Sequence, residues 1–280
     1  MKEIYLCAIS NIISGVCNED CGFCTQSVKH KADIQRYKQK KISLIIEEAK
    51  KAREYQAVGF CLVTAGKSLT DEIVEYVCKV AYEVKKAVPE LSLIGCNGTA
   101  SLESLKELKK AGIDNYNHNL ESSQEYYLNI CTTHSWEERF QTCLNVKEAK
   151  LNLCSGGIFG LGENQEDRIS LLKSLQELDP MSIPINFFHP NPALKIKQNK
   201  MNQKEAFEVL DLVSKYLPNK MLMVAGGREL IFEDKQYDIF DHGVNSIVIG
   251  DYLTTSGNKA EQDIHKLKSL GYKIARDCKR

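Results

Sequence analysis

Apolar and polar positions alternate along this chain in two rhythms: short β-rich runs of period two, and longer stretches with apolar residues at helical spacing. Residues 4–10 form the first strand candidate; a polar loop and a helix through Ile45, Ala49 and Ala52 follow it. Gly59–Thr64 is the second strand, with Ile73, Val77, Val80, Val84 and Val88 marking the next helix. Residues 91–96 precede a helix with Leu102, Leu105 and Leu108 that ends near Gly112. Residues 115–120 precede a helix through Trp136, Phe140 and Cys143, and residues 151–155 one through Ile169, Leu172 and Leu175. Residues 183–188 lead to Ala206, Val209, Leu210 and Val213. Residues 220–225 and 246–250 are the last strands, each with a helix expected after it.

The pattern amounts to eight strand–helix units in unbroken order. Repeated βαβ units imply a parallel sheet with right-handed crossovers. Eight in 280 residues suit an α/β fold closed as a TIM-type (β/α)8 barrel, with an open doubly wound sheet as the alternative. Only 6 prolines and no low-complexity segment give no reason to divide the chain, so residues 1–280 are expected to form a single domain.

Charge and composition remove several function classes. The 37 basic and 37 acidic residues cancel, leaving no global field for nucleic acid or an anionic membrane. The runs Lys38–Lys41 and Lys195–Lys200 read as solvated loops. No apolar stretch approaches a bilayer span, and Met1-Lys2-Glu3-Ile4-Tyr5 opens no signal-peptide core. The 11 cysteines, an odd and high count, then fit a reducing cytoplasm and metal binding better than disulfides.

Three of those cysteines, Cys17, Cys21 and Cys24, fall in one short window with the spacing C-x3-C-x2-C. Three thiolates can hold three irons of a cubane cluster and leave the fourth iron open to a small molecule. Closed electron-transfer clusters use four cysteines, so the missing ligand points to catalysis. The window follows the first strand and so falls at the barrel's catalytic face. A structural Cys3His zinc site, with His30 as the nearest spare ligand, is the competing reading.

Strand alternation places Asn115, Asn117, Asn119 and Glu121 on one face. Such a row needs hydrogen-bonding partners inside a barrel, which suggests a polar ligand at the mouth, with Asn186 able to join it. Cys61, Cys96 and Cys154 lie in the second, third and fifth strands. A strand cysteine is ordinarily a small buried apolar residue, but three together favour a second cluster. Cys78 and Cys143, on helices, read as packing.

The cysteine spacing resembles that of the radical S-adenosylmethionine (SAM) superfamily. The whole set of motifs resembles the biotin synthase family within it. The motifs are Cys17–Cys24, Gly59-Phe60-Cys61, Tyr116-Asn117-His118-Asn119-Leu120-Glu121, Cys154-Ser155-Gly156-Gly157, Pro184-Ile185-Asn186, Ala225-Gly226-Gly227-Arg228-Glu229 and Leu253-Thr254-Thr255. The resemblance implies that Cys17, Cys21 and Cys24 hold a [4Fe-4S] cluster at which SAM is cleaved to 5′-deoxyadenosine and methionine. It implies that Asn119, Glu121 and Arg139 bind SAM, and that Asn117, Asn119 and Asn186 meet dethiobiotin. Glu121 stands where an aspartate is usual. Cys61 and Cys154 match ligands of an auxiliary [2Fe-2S] cluster that supplies sulfur. Ile94 and Met223 stand where that cluster usually finds its third thiolate and an arginine; Cys96, two residues past Ile94 on the same face, is the substitute, with Cys131 or Cys7 as further recruits. A one-electron donor such as flavodoxin and a homodimer are also implied. A barrel-type relative without the second cluster, of the hydrogenase-maturation or methylornithine-forming kind, is the nearest alternative.

Overall fold

The computed structural model describes residues 2–278. Strand β1 (Glu3–Ile13) is followed by the cysteine loop and α1 (Ile42–Glu54); β2 (Gly59–Thr64) by α2 (Asp71–Ala87); β3 (Ser92–Cys96) by α3 (Leu102–Lys110). Next come β4 (Asn115–Asn117), α4 (Trp136–Glu148), β5 (Asn152–Cys154), β6 (Gly157–Phe159) and α5 (Gln165–Leu178). The rest is β7 (Ser182–Phe187), α6 (Gln203–Tyr216), β8 (Met221–Val224), α7 (Arg228–Phe232), β9 (Ser246–Val248), α8 (Ala260–Ser269) and β10 (Lys273–Ile274).

Every pairing between these strands is parallel, and β9 pairs back onto β1, so the barrel is closed and the open-sheet alternative falls. The fifth barrel strand is split into β5 and β6 at Ser155-Gly156. The physical reason lies opposite it. Pro184 in β7 has no N–H to give the ladder, and a Cβ on Gly156 would sit 1.9 Å from the Pro184 carbonyl oxygen. Only glycine permits that approach. The short β10 pairs with the start of β1 outside the ring, an element the sequence pattern did not mark.

The apolar core lies between barrel and helices. Val77, Val80 and Val84 of α2 and Ala206, Val209, Leu210 and Val213 of α6 are buried at the expected helical spacing. Ser135 and Asn164 open α4 and α5 with capping boxes to Glu138 and Asp167. After β8 the expected helix is reduced to the five residues of α7 and two 3-10 turns. The chain there is held by a buried ion pair: the Arg228 guanidinium meets Asp263 of α8 at 3.1 and 2.7 Å, and both residues are fully buried.

Candidate active site

A cavity of about 420 Å³ occupies the barrel lumen and opens among the loops at the strand C-termini. Alternate residues supply its wall: Cys7 from β1, Cys61 from β2, Ile94 and Cys96 from β3, Asn115 and Asn117 from β4, Cys154 from β5, Pro184 and Asn186 from β7, Met223 from β8. Asn119 and Glu121 line it as well, although β4 ends at Asn117. Beyond that point the backbone still donates to its neighbour, His118 N–H to the Cys154 carbonyl and Leu120 N–H to that of Gly156. Glu121 then takes a positive φ of 68° and turns the chain away.

The polar mouth has the unmet hydrogen-bonding capacity of a binding site. Asn117 Oδ1, Asn119 Oδ1 and Glu121 Oε2 are buried without a partner, and all three residues face the cavity. Such atoms are costly unless a ligand or ordered water meets them. Burial raises the pKa of Glu121 above the ordinary carboxylate value, against the pull of Arg139. Arg139 of α4 donates through Nε to the Tyr127 hydroxyl (2.6 Å) and through Nη1 to the Asn119 carbonyl (2.7 Å). Its Nη2 stands 3.8 Å from Glu121. Burial opposes its charge, but Tyr127 and Glu121 hold it protonated. A guanidinium has five N–H donors, so this arrangement leaves donors for an incoming carboxylate. Asn186 is already engaged at both ends, accepting from Gly226 N–H (3.0 Å) and donating to the Gly157 carbonyl (3.3 Å); one amide proton remains.

The cysteine loop closes over one side of this mouth. Asp20 anchors it by accepting from the Thr132 N–H (2.9 Å) and the Thr133 hydroxyl (3.1 Å). Gly22 donates to the Ile130 carbonyl and accepts from Ile196 N–H. Thr25 meets Thr254 at 2.8 Å, which docks the Leu253-Thr254-Thr255 motif on the loop. Cys24 reaches the cavity directly. The zinc reading finds no support at His30, whose ring nitrogen meets the Cys21 carbonyl oxygen (3.1 Å), not a thiol.

One placement differs from expectation. Cys131 does not join the strand cysteines; its sulfur lies 3.6 Å from that of Cys21 and 3.3 Å from His134 Nδ1, behind the cysteine loop. A hydrogen bond from Cys21, working against burial and helped by His134, pulls its thiol down to about 4. Cys21, Cys131 and His134 thus form a compact donor group that sequence spacing did not reveal. Below the mouth, Cys61 hydrogen-bonds to Cys96, so that Cys61 keeps its proton and Cys96 loses its own more readily. Burial pushes Cys154 up to about 12. Burial keeps the Cys61 and Cys154 thiols protonated on their own, and cations bound among them would favour the thiolates. The donor set therefore suits a thiolate-bound iron–sulfur cluster.

A closed parallel barrel with a three-cysteine loop at its mouth defines a radical SAM enzyme, and residues 11–175 match the Radical SAM superfamily. Residues 184–273 match the Biotin and Thiamin Synthesis associated domain. The chain is 63% identical over 277 residues to biotin synthase of Aliarcobacter butzleri, covering 99% of this chain and 98% of that one. It is 59% identical to biotin synthase of Nitratiruptor sp. over 99% of both chains, and 57% identical to that of Campylobacter jejuni at the same coverage. The chain belongs to the biotin synthase family. Methylornithine synthase shares the fold at a TM-score of 0.81 and 16% identity, over 98% of this chain and 84% of that one. The FeFe-hydrogenase maturase of Carboxydothermus hydrogenoformans does so at 0.82 and 17%, over 99% and 70%. Among the described residues no helix is long and apolar enough to cross a membrane.

Proposed function

We propose that this enzyme inserts sulfur into dethiobiotin to form biotin, consuming SAM. The observation that carries the reading is one cavity with unpartnered amides and a carboxylate at its mouth and buried thiols beneath. In this reading Cys17, Cys21 and Cys24 hold the [4Fe-4S] cluster. Cys61, Cys96 and Cys154 hold an auxiliary cluster, taken as [2Fe-2S]. When bound, the first cluster supplies the electron that splits SAM to a 5′-deoxyadenosyl radical, and the second supplies the sulfur atom.

The protein's own part is placement. Arg139 pairs with the SAM carboxylate through its spare N–H donors. Glu121 and Asn119 accept from the ribose hydroxyls, which meets their orphaned oxygens. Asn117 and Asn119 address the ureido ring of dethiobiotin, with Asn186 offering its remaining amide proton. Hydrogen abstraction needs near-contact geometry, and the shared cavity holds substrate carbon between the cysteine loop above and the strand thiols below.

Both family matches contribute strands to the same ring, which supports 1–280 as one barrel domain. All eleven cysteines are free, in keeping with a reducing cytoplasm. A flavodoxin-type electron donor and a homodimer follow from family resemblance. The test is anaerobic incubation of the reconstituted protein with SAM, a reductant and dethiobiotin. Biotin with 5′-deoxyadenosine is expected; deoxyadenosine without biotin would reject the substrate or the sulfur donor.

A further inference from the structure

Two positions at which the family places ligands of the second cluster carry poor ones here. Ile94 has no donor atom and Met223 offers only a thioether, yet both still line the cavity. The barrel supplies another thiol close by. Cys7 stands on β1 between Tyr5 and Ile9, and all three face the lumen. Its register partner on β2 is Gly59. A Cβ built on Gly59 would lie 3.1 Å from Cys7 Sγ and 3.2 Å from Ile94 Cδ1. The space a side chain at 59 would fill is therefore taken by the Cys7 thiol, next to the position that lost its ligand.

Cys7 is 5% exposed. Among the described residues its thiol makes one hydrogen bond, a long contact of 3.8 Å to the neighbouring Ala8 carbonyl. Cys278, Cys154 and Cys61 are its electrostatic neighbours around the lumen. A buried thiol this poorly engaged, among other thiols and away from any packing role on a helix, is placed as a ligand would be. Cys278 lines the same cavity from the C-terminal segment, but it is only half-buried and is engaged by Ser92.

We propose that, given the sulfur-donating cluster assigned under Proposed function, Cys7 is its fourth thiolate ligand, completing a set with Cys61, Cys96 and Cys154. Four thiolates in place of three and an arginine add negative charge to the cluster, which alters its potential and its spectrum.

The test is anaerobic reconstitution of wild type, Cys7→Ala, Cys7→Ser and Cys278→Ala, followed by iron and acid-labile sulfide analysis and Mössbauer spectroscopy. Wild type is expected to carry iron beyond one [4Fe-4S] complement. Cys7→Ala should lose essentially all of that excess yet still cleave SAM, which reports an intact barrel and first cluster. Cys7→Ser, close in size and usable if the alanine variant is insoluble, should hold less iron in an altered environment. Cys278→Ala should match wild type. Full iron and an unchanged spectrum in the Cys7 variants would overturn the proposal, as would loss confined to Cys278→Ala. Wild type with iron for one cluster only would instead overturn the sulfur-donor reading itself, and this ligand with it.

Discussion

Replacing Asp263 by Asn tests the device that holds the β8–α8 side of the barrel. Arg228 is fully buried and meets Asp263 through two hydrogen bonds of 3.1 and 2.7 Å. Tyr237 and Asn258 also donate to the Asp263 carboxylate, at 2.7 and 3.2 Å. Breaking a buried pair by removing one charge costs about 3–5 kcal/mol, because the other charge is left uncompensated. Glu229, 3.0 Å from Arg228, still offers partial compensation, so the lower end applies, ~3 kcal/mol. At roughly 2–4 °C per kcal/mol for a chain of this size class, the melting temperature should fall by about 6–12 °C. Circular dichroism of the iron-free protein reads this directly. The double variant Arg228→Met/Asp263→Leu should recover most of the loss, since it leaves no charge behind. A shift of less than about 1 °C for Asp263→Asn would refute the reasoning, because no buried pair of this kind loses a partner so cheaply.

Three further outcomes follow from the site. Cys21→Ala should abolish SAM cleavage, while Cys154→Ala should keep some deoxyadenosine production and make no biotin; undiminished cleavage in Cys21→Ala would remove that residue from the cluster. Arg139→Lys keeps the charge but loses the planar fork, and one charged hydrogen bond, about 1.5–3 kcal/mol, corresponds to a rise of roughly 10- to 150-fold in the KM for SAM; an unchanged KM would exclude the carboxylate contact. Because burial raises the Glu121 pKa, its folded state favours the protonated form. That contribution is full below the ordinary glutamate value and is lost as pH rises through the raised one. The iron-free wild type should therefore lose stability relative to Glu121→Gln over that window in thermal unfolding, and parallel curves would contradict it.

The barrel was legible because its signals are periodic. Apolar spacing on the helices around Val77, Val80 and Val84 or Val209, Leu210 and Val213 matched the buried faces. Period-two alternation placed Asn115, Asn117, Cys61 and Cys154 in the lumen, where they stand. Features set by long-range contact were not legible. The break between β5 and β6 depends on Pro184 across the ladder, and the buried partner of Arg228 at the start of α7 is Asp263, far along the chain. The pairing of Cys131 with Cys21 joins residues 110 positions apart, so no local spacing marks it. Cys7 is a middle case. Its alternation with Tyr5 and Ile9 was readable, but only the vacancy at Gly59 shows why its thiol has room.

The central claim is that the thiols inside the barrel hold the sulfur that enters the product. The most direct measurement reconstitutes the enzyme with isotopically heavy sulfide, removes free sulfide, and runs a single turnover with SAM and dethiobiotin. Biotin carrying the heavy isotope is expected, with a matching loss of protein-bound sulfide. Biotin of natural isotopic composition would contradict it, and would move the sulfur source outside the barrel.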